Sequence, residues 1–354
     1  MLFICVVLFV PTVVYADDVV YTSSAYSCVV MDGESKTVFH CVNENQPLPM
    51  ASTTKIMTCL IACEMGNLND VVTITDEMVN TEGSMIYLKS GDKITLLDLV
   101  KGALIASGND AANAIAIHIG SNVDDFCSLM NKKAQEIGMT NTVFVTPSGL
   151  DEGNHHSTAY DMALLTAYAL DCAEFAQICA MQTADITIND KTMTVYNHNK
   201  LLSYSQNFVG VKTGYTNKAG RCLVSAYNHN GNNIICVTLN DYDDWADHKQ
   251  MINCALNEYN EISHTQELYI DAVGSSLTQI KCSYQYNITT LGDVYIKLYY
   301  YPFVYAPVNA GDKVGYANIY SNQKLVKTVP ITATEGINYY GKQQSDTTSE
   351  VYGG

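Results

Sequence analysis

The run Phe208-Val209-Gly210-Val211-Lys212-Thr213-Gly214 is followed by Cys222-Leu223-Val224-Ser225-Ala226-Tyr227 and then by Asn233-Ile234-Ile235-Cys236-Val237-Thr238. Each run is β-branched and apolar, and Gly- and Asn-rich turns separate them, so they read as three neighbouring antiparallel strands. Outward toward the N-terminus, residues 26–32 and 36–42 read as two more strands joined by a turn containing Asp32-Gly33. Between the two strand groups the period changes to that of helices, beginning near Ser52 through residues 55–61 and continuing at 96–106, 110–119, 123–137 and 157–170. Residues 245–259 follow the last strand as an amphipathic helix. Terminal segments that pair into one antiparallel sheet, with a helical block beside it, make an α/β layered domain.

Beyond about residue 262 helical patterns vanish, and Val294-Tyr295-Ile296-Lys297-Leu298-Tyr299 and residues 314–320 are β-rich. The expected organisation is therefore a first domain over 17–262, a small all-β domain over 263–341 and a polar, disordered tail over 342–354. A length of 354 residues fits two domains.

The chain holds 36 acidic and 19 basic residues, a formal net charge of -17. Such a balance excludes nucleic acid as a partner, because phosphate binding needs clustered Lys and Arg, and it disfavours adhesion to anionic lipid. Residues 1–16, MLFICVVLFVPTVVYA, form an apolar run ending in Val14-Tyr15-Ala16, with the small residues that suit signal-peptidase cleavage. No Lys or Arg precedes the run, which points to a start further upstream; the alternative is an uncleaved anchor, for which the stretch is short. Membrane contact is then confined to this segment, if it is retained. Export is the expectation.

Twelve cysteines in an exported chain suggest disulfides. Their spacing argues otherwise: Cys59 and Cys63 share one helical pattern, Cys28 and Cys236 sit in apolar runs, and loss of Cys5 with a leader leaves an odd number. They read as small buried hydrophobes with free thiols. The eight histidines fall in no zinc-ligand pattern, and His155-His156 reads as a loop pair, so neither metal nor cofactor is expected.

Three short motifs carry the chemistry: Ser52-Thr53-Thr54-Lys55, Ser107-Gly108-Asn109 and Lys212-Thr213-Gly214. At the start of a helix, residues three apart share a face, so Ser52 Oγ and Lys55 Nζ can meet. Serine is a poor nucleophile until a base takes its proton. Lys55 can be that base only when neutral, which requires its pKa to fall from about 10.4 by several units. Burial, the helix N-terminus and a second cation, Lys212, all push it down. Ser107 can relay a proton toward a leaving amine, and Asn109 can hold Lys55 and a substrate backbone. The strand of Lys212, Thr213 and Gly214 offers a wall for an extended peptide, and the N–H groups of Ser52 and Tyr215 an oxyanion hole. Singly each motif could be a helix cap, a turn or a solvated strand residue; the three in this order are the signature shared by class A β-lactamases and penicillin-binding proteins.

On these motifs the chain resembles the low-molecular-weight penicillin-binding proteins that act as D-alanyl-D-alanine carboxypeptidases. The resemblance spans about residues 25–331. It also rests on Met50-Ala51, Gly83-Ser84-Met85-Ile86-Tyr87-Leu88, Pro147-Ser148-Gly149-Leu150-Asp151, Ser157-Thr158-Ala159 and the distal Ala306-Pro307-Val308-Asn309-Ala310-Gly311-Asp312-Lys313. It implies a β-lactamase- or transpeptidase-like catalytic domain with an accessory β domain, acting on the cell-wall side of a bacterial membrane. It further implies that Ser52 is acylated by the penultimate D-Ala of a peptidoglycan stem pentapeptide, and that penicillins acylate the same serine. The implied catalytic residues are Ser52, Lys55, Ser107, Asn109 and Lys212; the implied substrate-binding residues are Lys212, Thr213, Gly214, Tyr215, Thr216 and His198.

Three departures stand out. Some relatives carry Asn-Arg-Asn where this chain reads Asn197-His198-Asn199, so carboxylate binding falls elsewhere or on His198. Several have His after Lys-Thr-Gly, where this chain has Tyr215. Many end in an amphipathic membrane helix, which this polar tail does not offer. Two rival readings remain. A β-lactamase needs a deacylating Glu in a Glu-x-x-Leu-Asn loop; residues 110–211 hold no such motif, and Glu136 and Glu152 lack that context. A relic that only binds wall peptide would more often show a broken motif.

Overall fold

The computed structural model describes residues 4–10, 20–321 and 323–340. The cleavage site around Ala16 and the tail over 342–354 lie outside the described residues. Two compact units result, one over Asp18–Asn257 and one built from Glu258 onward together with the N-terminal strand β1 (Ile4–Val10).

The Asp18–Asn257 unit starts with the hairpin β2 (Ser27–Asp32) and β3 (Val38–Val42). A 3-10 turn, Ala51–Thr54, leads into α1 (Lys55–Met65), followed by β4 (Val71–Thr73), α2 (Asp76–Val79) and β5 (Lys93–Thr95). The helical block comprises α3 (Leu96–Leu104), α4 (Asn109–Gly120), α5 (Val123–Ile137), α6 (Ala159–Leu170) and α7 (Ala173–Cys179). Then come the hairpin β6 (Thr183–Ile188) and β7 (Lys191–Tyr196), α8 (Leu201–Tyr204), strands β8 (Phe208–Thr216), β9 (Gly220–His229) and β10 (Asn232–Asp241), and α9 (Asp244–Leu256).

The main sheet has the order β3-β2-β10-β9-β8, antiparallel throughout, which leaves β8 as an edge. On one face Ser225 of β9 meets His248 of α9; on the other Cys222 reaches the Pro49 carbonyl just ahead of the 3-10 turn. Residues an odd number apart on a strand face opposite sides, so the sheet is sandwiched. Helix α1 is the core of the block: every residue from Lys55 to Ala62 is buried, as expected of a helix apolar all round. Side chains start three of its neighbours, with Thr95, Asn122 and Thr158 each accepting from the backbone N–H of an Asp three residues on (Asp98, Asp125 and Asp161).

The second unit is a seven-stranded sheet of order β1-β13-β15-β16-β12-β11-β14. Its further strands are β11 (Asn260–Val273), β12 (Gln279–Thr290), β13 (Val294–Tyr300), β14 (Phe303–Tyr305), β15 (Lys313–Ser321) and β16 (Lys324–Ala333). Inward residues alternate along the strands, among them Ile280, Cys282, Ile296, Ile319 and Ile331.

The structure adds three features to this outline. The domain boundary at 262 falls inside β11, whose first residues Asn260–Ile262 pair with Ile288–Thr290; exposed alternate residues hide the change of composition there. The stretch read as a leader contains β1, an edge strand paired with β13 from Ile4↔Tyr300 to Val10↔Val294. The small sheet β4-β5-β6-β7 was not foreseen at all. Among the described residues no disulfide joins any cysteines.

Candidate active site

The 3-10 turn places Ser52 one helical step ahead of α1, with Ser52 half-buried and Lys55 fully buried. Lys55 Nζ donates to Ser52 Oγ at 2.9 Å, to Asn109 Oδ1 at 2.7 Å and to the Ser148 carbonyl at 2.7 Å. Three acceptors use all three ammonium donors, yet no carboxylate contacts the group. Burial first, and the nearby Lys212 charge second, hold the Lys55 pKa well below that of an ordinary lysine.

Lys212, also fully buried, donates to Ser107 Oγ at 3.1 Å and to the Thr213 carbonyl at 2.9 Å. Burial lowers its pKa to about 8. Ser107 is held at φ +60°, and Asn109 opens α4, its Nδ2 donating to the Glu82 carbonyl at 2.5 Å. Ser52, Lys55, Ser107, Asn109 and Lys212 thus form one cluster. The sheet edge β8 runs beside this cluster, where a Cβ on Gly214 would stand 3.0 Å from the Ser52 nitrogen. Only glycine lets the strand lie this close to Ser52.

The remaining expected residues divide. Thr213 is half-buried beside Lys212, and Tyr215 is exposed, its hydroxyl donating to Asn217 Oδ1 at 3.3 Å. Thr216 uses its hydroxyl to accept from Ala219 N at 3.0 Å, closing the β8–β9 turn. His198 is exposed, and partial burial followed by the Lys212 charge lowers its pKa. Its neighbour Asn199 is buried with Nδ2 unpartnered. Glu136 pairs with Lys133 on α5, and exposed Glu152 gives its backbone carbonyl to His155 N, so neither carboxylate is placed at Ser52.

Three further residues support the cluster. Asp110 is buried and accepts from Ile86 N at 3.0 Å, Leu88 N at 3.0 Å and Ala111 N at 2.9 Å, so it shapes the 83–88 loop behind Asn109. Gly149, at φ +86°, sits where any Cβ would run into the Ala51 carbonyl, which packs the 147–151 loop under the nucleophile turn. His155 Nδ1 accepts from Val145 N at 3.0 Å, so Nε2 carries the proton and donates to Thr54 Oγ1 at 2.8 Å, which in turn donates to the Ala51 carbonyl at 2.8 Å. Burial lowers the His155 pKa to about 4, keeping the ring neutral. The Asp110 and Gly149 contexts were visible as motif residues; the His155 contact joins positions 101 residues apart and left no local signal. Among the described residues no group of His, Cys, Asp and Glu has the geometry to hold a metal ion.

A buried lysine whose proton is disfavoured, set on a serine hydroxyl with a second lysine–serine pair nearby, is an arrangement suited to proton transfer at that serine. The family model for D-alanyl-D-alanine carboxypeptidases matches residues 14–243. The chain is 36% identical over 208 residues to the D-alanyl-D-alanine carboxypeptidase DacF of Bacillus subtilis, covering 57% of this chain and 54% of that protein. It is 36% identical over 247 residues to DacC of Escherichia coli, covering 66% of this chain and 61% of that one. The alignments thus span a little over half of those relatives. Among solved structures, a D-alanyl-D-alanine carboxypeptidase of Mycobacterium tuberculosis superposes with a TM-score of 0.64 at 30% identity, over 66% of this chain and 92% of that one. Penicillin binding protein 5 of Haemophilus influenzae gives 0.63 at 25% identity over 90% of this chain and 98% of that one. With the family model covering well over half of its length, the chain belongs to the D-alanyl-D-alanine carboxypeptidase family of peptidases.

Proposed function

We propose that this protein is an exported serine carboxypeptidase that removes the terminal D-Ala from peptidoglycan stem pentapeptides through an acyl-Ser52 intermediate, and that penicillins acylate the same serine. The observation that carries this reading is Lys55 Nζ, buried, depressed in pKa and 2.9 Å from Ser52 Oγ. Neutral Lys55 takes the Ser52 proton as Oγ attacks the carbonyl carbon of the penultimate D-Ala. The oxyanion lies at the N–H groups of Ser52 and Tyr215, donors fixed before the charge develops. The proton taken up by Lys55 passes by way of the Ser107 hydroxyl to the leaving D-Ala amine, which restores neutral Lys55, and Lys212, Thr213 and His198 face the carboxylate. Water then attacks the acyl carbon and frees Ser52. The family supports export to the wall side of the membrane, the stem peptide and the penicillins.

The test is intact-mass measurement after incubation with a penicillin. One adduct is expected, located on Ser52 and lost in Ser52→Ala. An adduct that survives that substitution removes Ser52 as the nucleophile.

A further inference from the structure

The β unit contains a cavity of about 790 Å³, lined by Tyr301, Phe303, Tyr305, Val308, Asp312 and Lys313 among others. None of these residues belongs to the candidate active site. Its volume falls within the roughly 300–1,000 Å³ of small-molecule sites. Strand β14 builds one side. It is the last strand of its sheet, and its residues alternate: Val304 points into the core, while Phe303 is 43% and Tyr305 67% exposed. The two outward rings meet edge to face with centroids 5.4 Å apart, so they present an aromatic face rather than a closed stack. Single exposed apolar residues are ordinary, but several aromatics gathered round one concavity mark a binding surface.

Charge narrows the occupant. The lining holds one acid and one base, Asp312 and Lys313, so the cavity itself is close to neutral. Asp312 is fixed in place by accepting from Asn309 N at 2.7 Å. In a chain of net charge -17, an anionic polymer would be repelled and this lining offers no excess of cations to hold it. Aromatic faces with a few fixed polar groups suit a pyranose, whose C–H face packs on the ring while hydroxyl and acetamido groups reach the acid and base. We propose that this cavity is a glycan site, which takes the uncharged N-acetylated amino sugars of the strand that bears the stem peptide. The inference rests on the reading that the stem peptide is the substrate. A carrier strand held on the β unit would raise the local concentration of stem peptides at the catalytic unit.

The probe is the β-1,4-linked tetramer of N-acetylglucosamine, titrated into the full chain by calorimetry and ligand-observed NMR. Saturable binding is expected, unchanged when Ser52 carries a penicilloyl group. Phe303→Ala and Tyr305→Ala should each weaken it by about two- to ten-fold, the value of one aromatic stacking partner, while Tyr305→Phe retains it. Circular dichroism and penicillin labelling of each variant report on folding and on the catalytic unit separately. Absence of binding at millimolar tetramer, binding lost on penicilloylation, or binding indifferent to Phe303→Ala and Tyr305→Ala together each overturns the proposal. So does adsorption to phosphatidylcholine vesicles without oligosaccharide binding. Failed labelling beside Tyr305-dependent glycan binding would sink the catalytic reading and leave this site standing.

Discussion

Lys55 and Lys212 are two ammonium groups buried in one cluster without a carboxylate partner, and each one's proton is costly to keep. Burial and then the Lys212 charge hold the Lys55 pKa well below its ordinary value, and burial lowers that of Lys212 to about 8. In the proposed mechanism the two take different roles: Lys55 accepts the Ser52 proton, and Lys212 is the cation for a substrate carboxylate. A lysine is charged below its pKa, so carboxylate recognition should be full below pH 8 and fade above it. A charge-assisted hydrogen bond contributes about 1.5–3 kcal/mol, or roughly ten- to a hundred-fold in rate. Diacetyl-Lys-D-Ala-D-Ala should accordingly be cleaved at least about ten-fold faster than its C-terminal amide near pH 6.5, with the ratio shrinking as pH rises through 8. A ratio that holds steady or grows across that range would remove Lys212 from carboxylate binding. The identities of these lysines were legible because Ser52-Thr53-Thr54-Lys55 and Lys212-Thr213-Gly214 are local patterns. His155 was not: its role rests on a proton directed at Thr54, and an adjacent His156 made the pair look like loop.

The nucleophile turn is an element held from below. Gly149 adopts φ +86° and leaves no room for a Cβ against Ala51, whereas Gly91 adopts a similar φ of +89° with nothing within 4 Å. The pair separates backbone strain from steric displacement. Gly91→Ala should cost about 1 kcal/mol by conformation alone and leave the rate of penicillin labelling unchanged. Gly149→Ala carries the same conformational cost and must also push the Ala51 carbonyl, and with it Ser52. Labelling well below the melting temperature should then slow by about ten-fold or more in Gly149→Ala only, a displacement of the nucleophile costing over 1.4 kcal/mol. Equal labelling of the two variants would show that the turn is not seated on the loop. At this scale the sequence was readable where periodicity was clean, as in β8 to β10 and in α3 to α6. The hairpin β6–β7 escaped because β7 exposes every residue but Val195, so no alternation marks it. Its turn, Asn189-Asp190 with both φ values positive, was the available signal. The small sheet it joins also depends on a single long-range pairing, Ile94↔Ile188, which no window of sequence contains.

In the molecule as a whole, buried titratable groups concentrate in the Asp18–Asn257 unit and set how it responds to acid. His248 lies fully buried between Ser225 and Thr238, and burial lowers its pKa to about 3; His155 stands at about 4. A histidine whose folded pKa lies below its unfolded value of 6.5 contributes its stability above that value and loses it as pH falls toward the folded pKa. Each loses about 1.4 kcal/mol per pH unit across that window. Asp241 works in the opposite direction. Burial raises its carboxyl from 3.8 to about 6, so the folded state binds the extra proton and gains stability as pH falls from 6 to 3.8. His40 and His198 are shifted down as well, so four histidines lose stability on acidification against one carboxyl that gains, and the net slope between pH 6 and pH 4 runs toward lower stability. Calorimetry of the intact chain should therefore show the transition of the Asp18–Asn257 unit, identified by its shift on penicilloylation, moving to lower temperature between pH 6.5 and 4.5. Asp241→Asn removes the opposing group and should steepen that fall. A transition that stays level on acidification, or one that Asp241→Asn flattens, would show that the buried histidines do not govern the acid response.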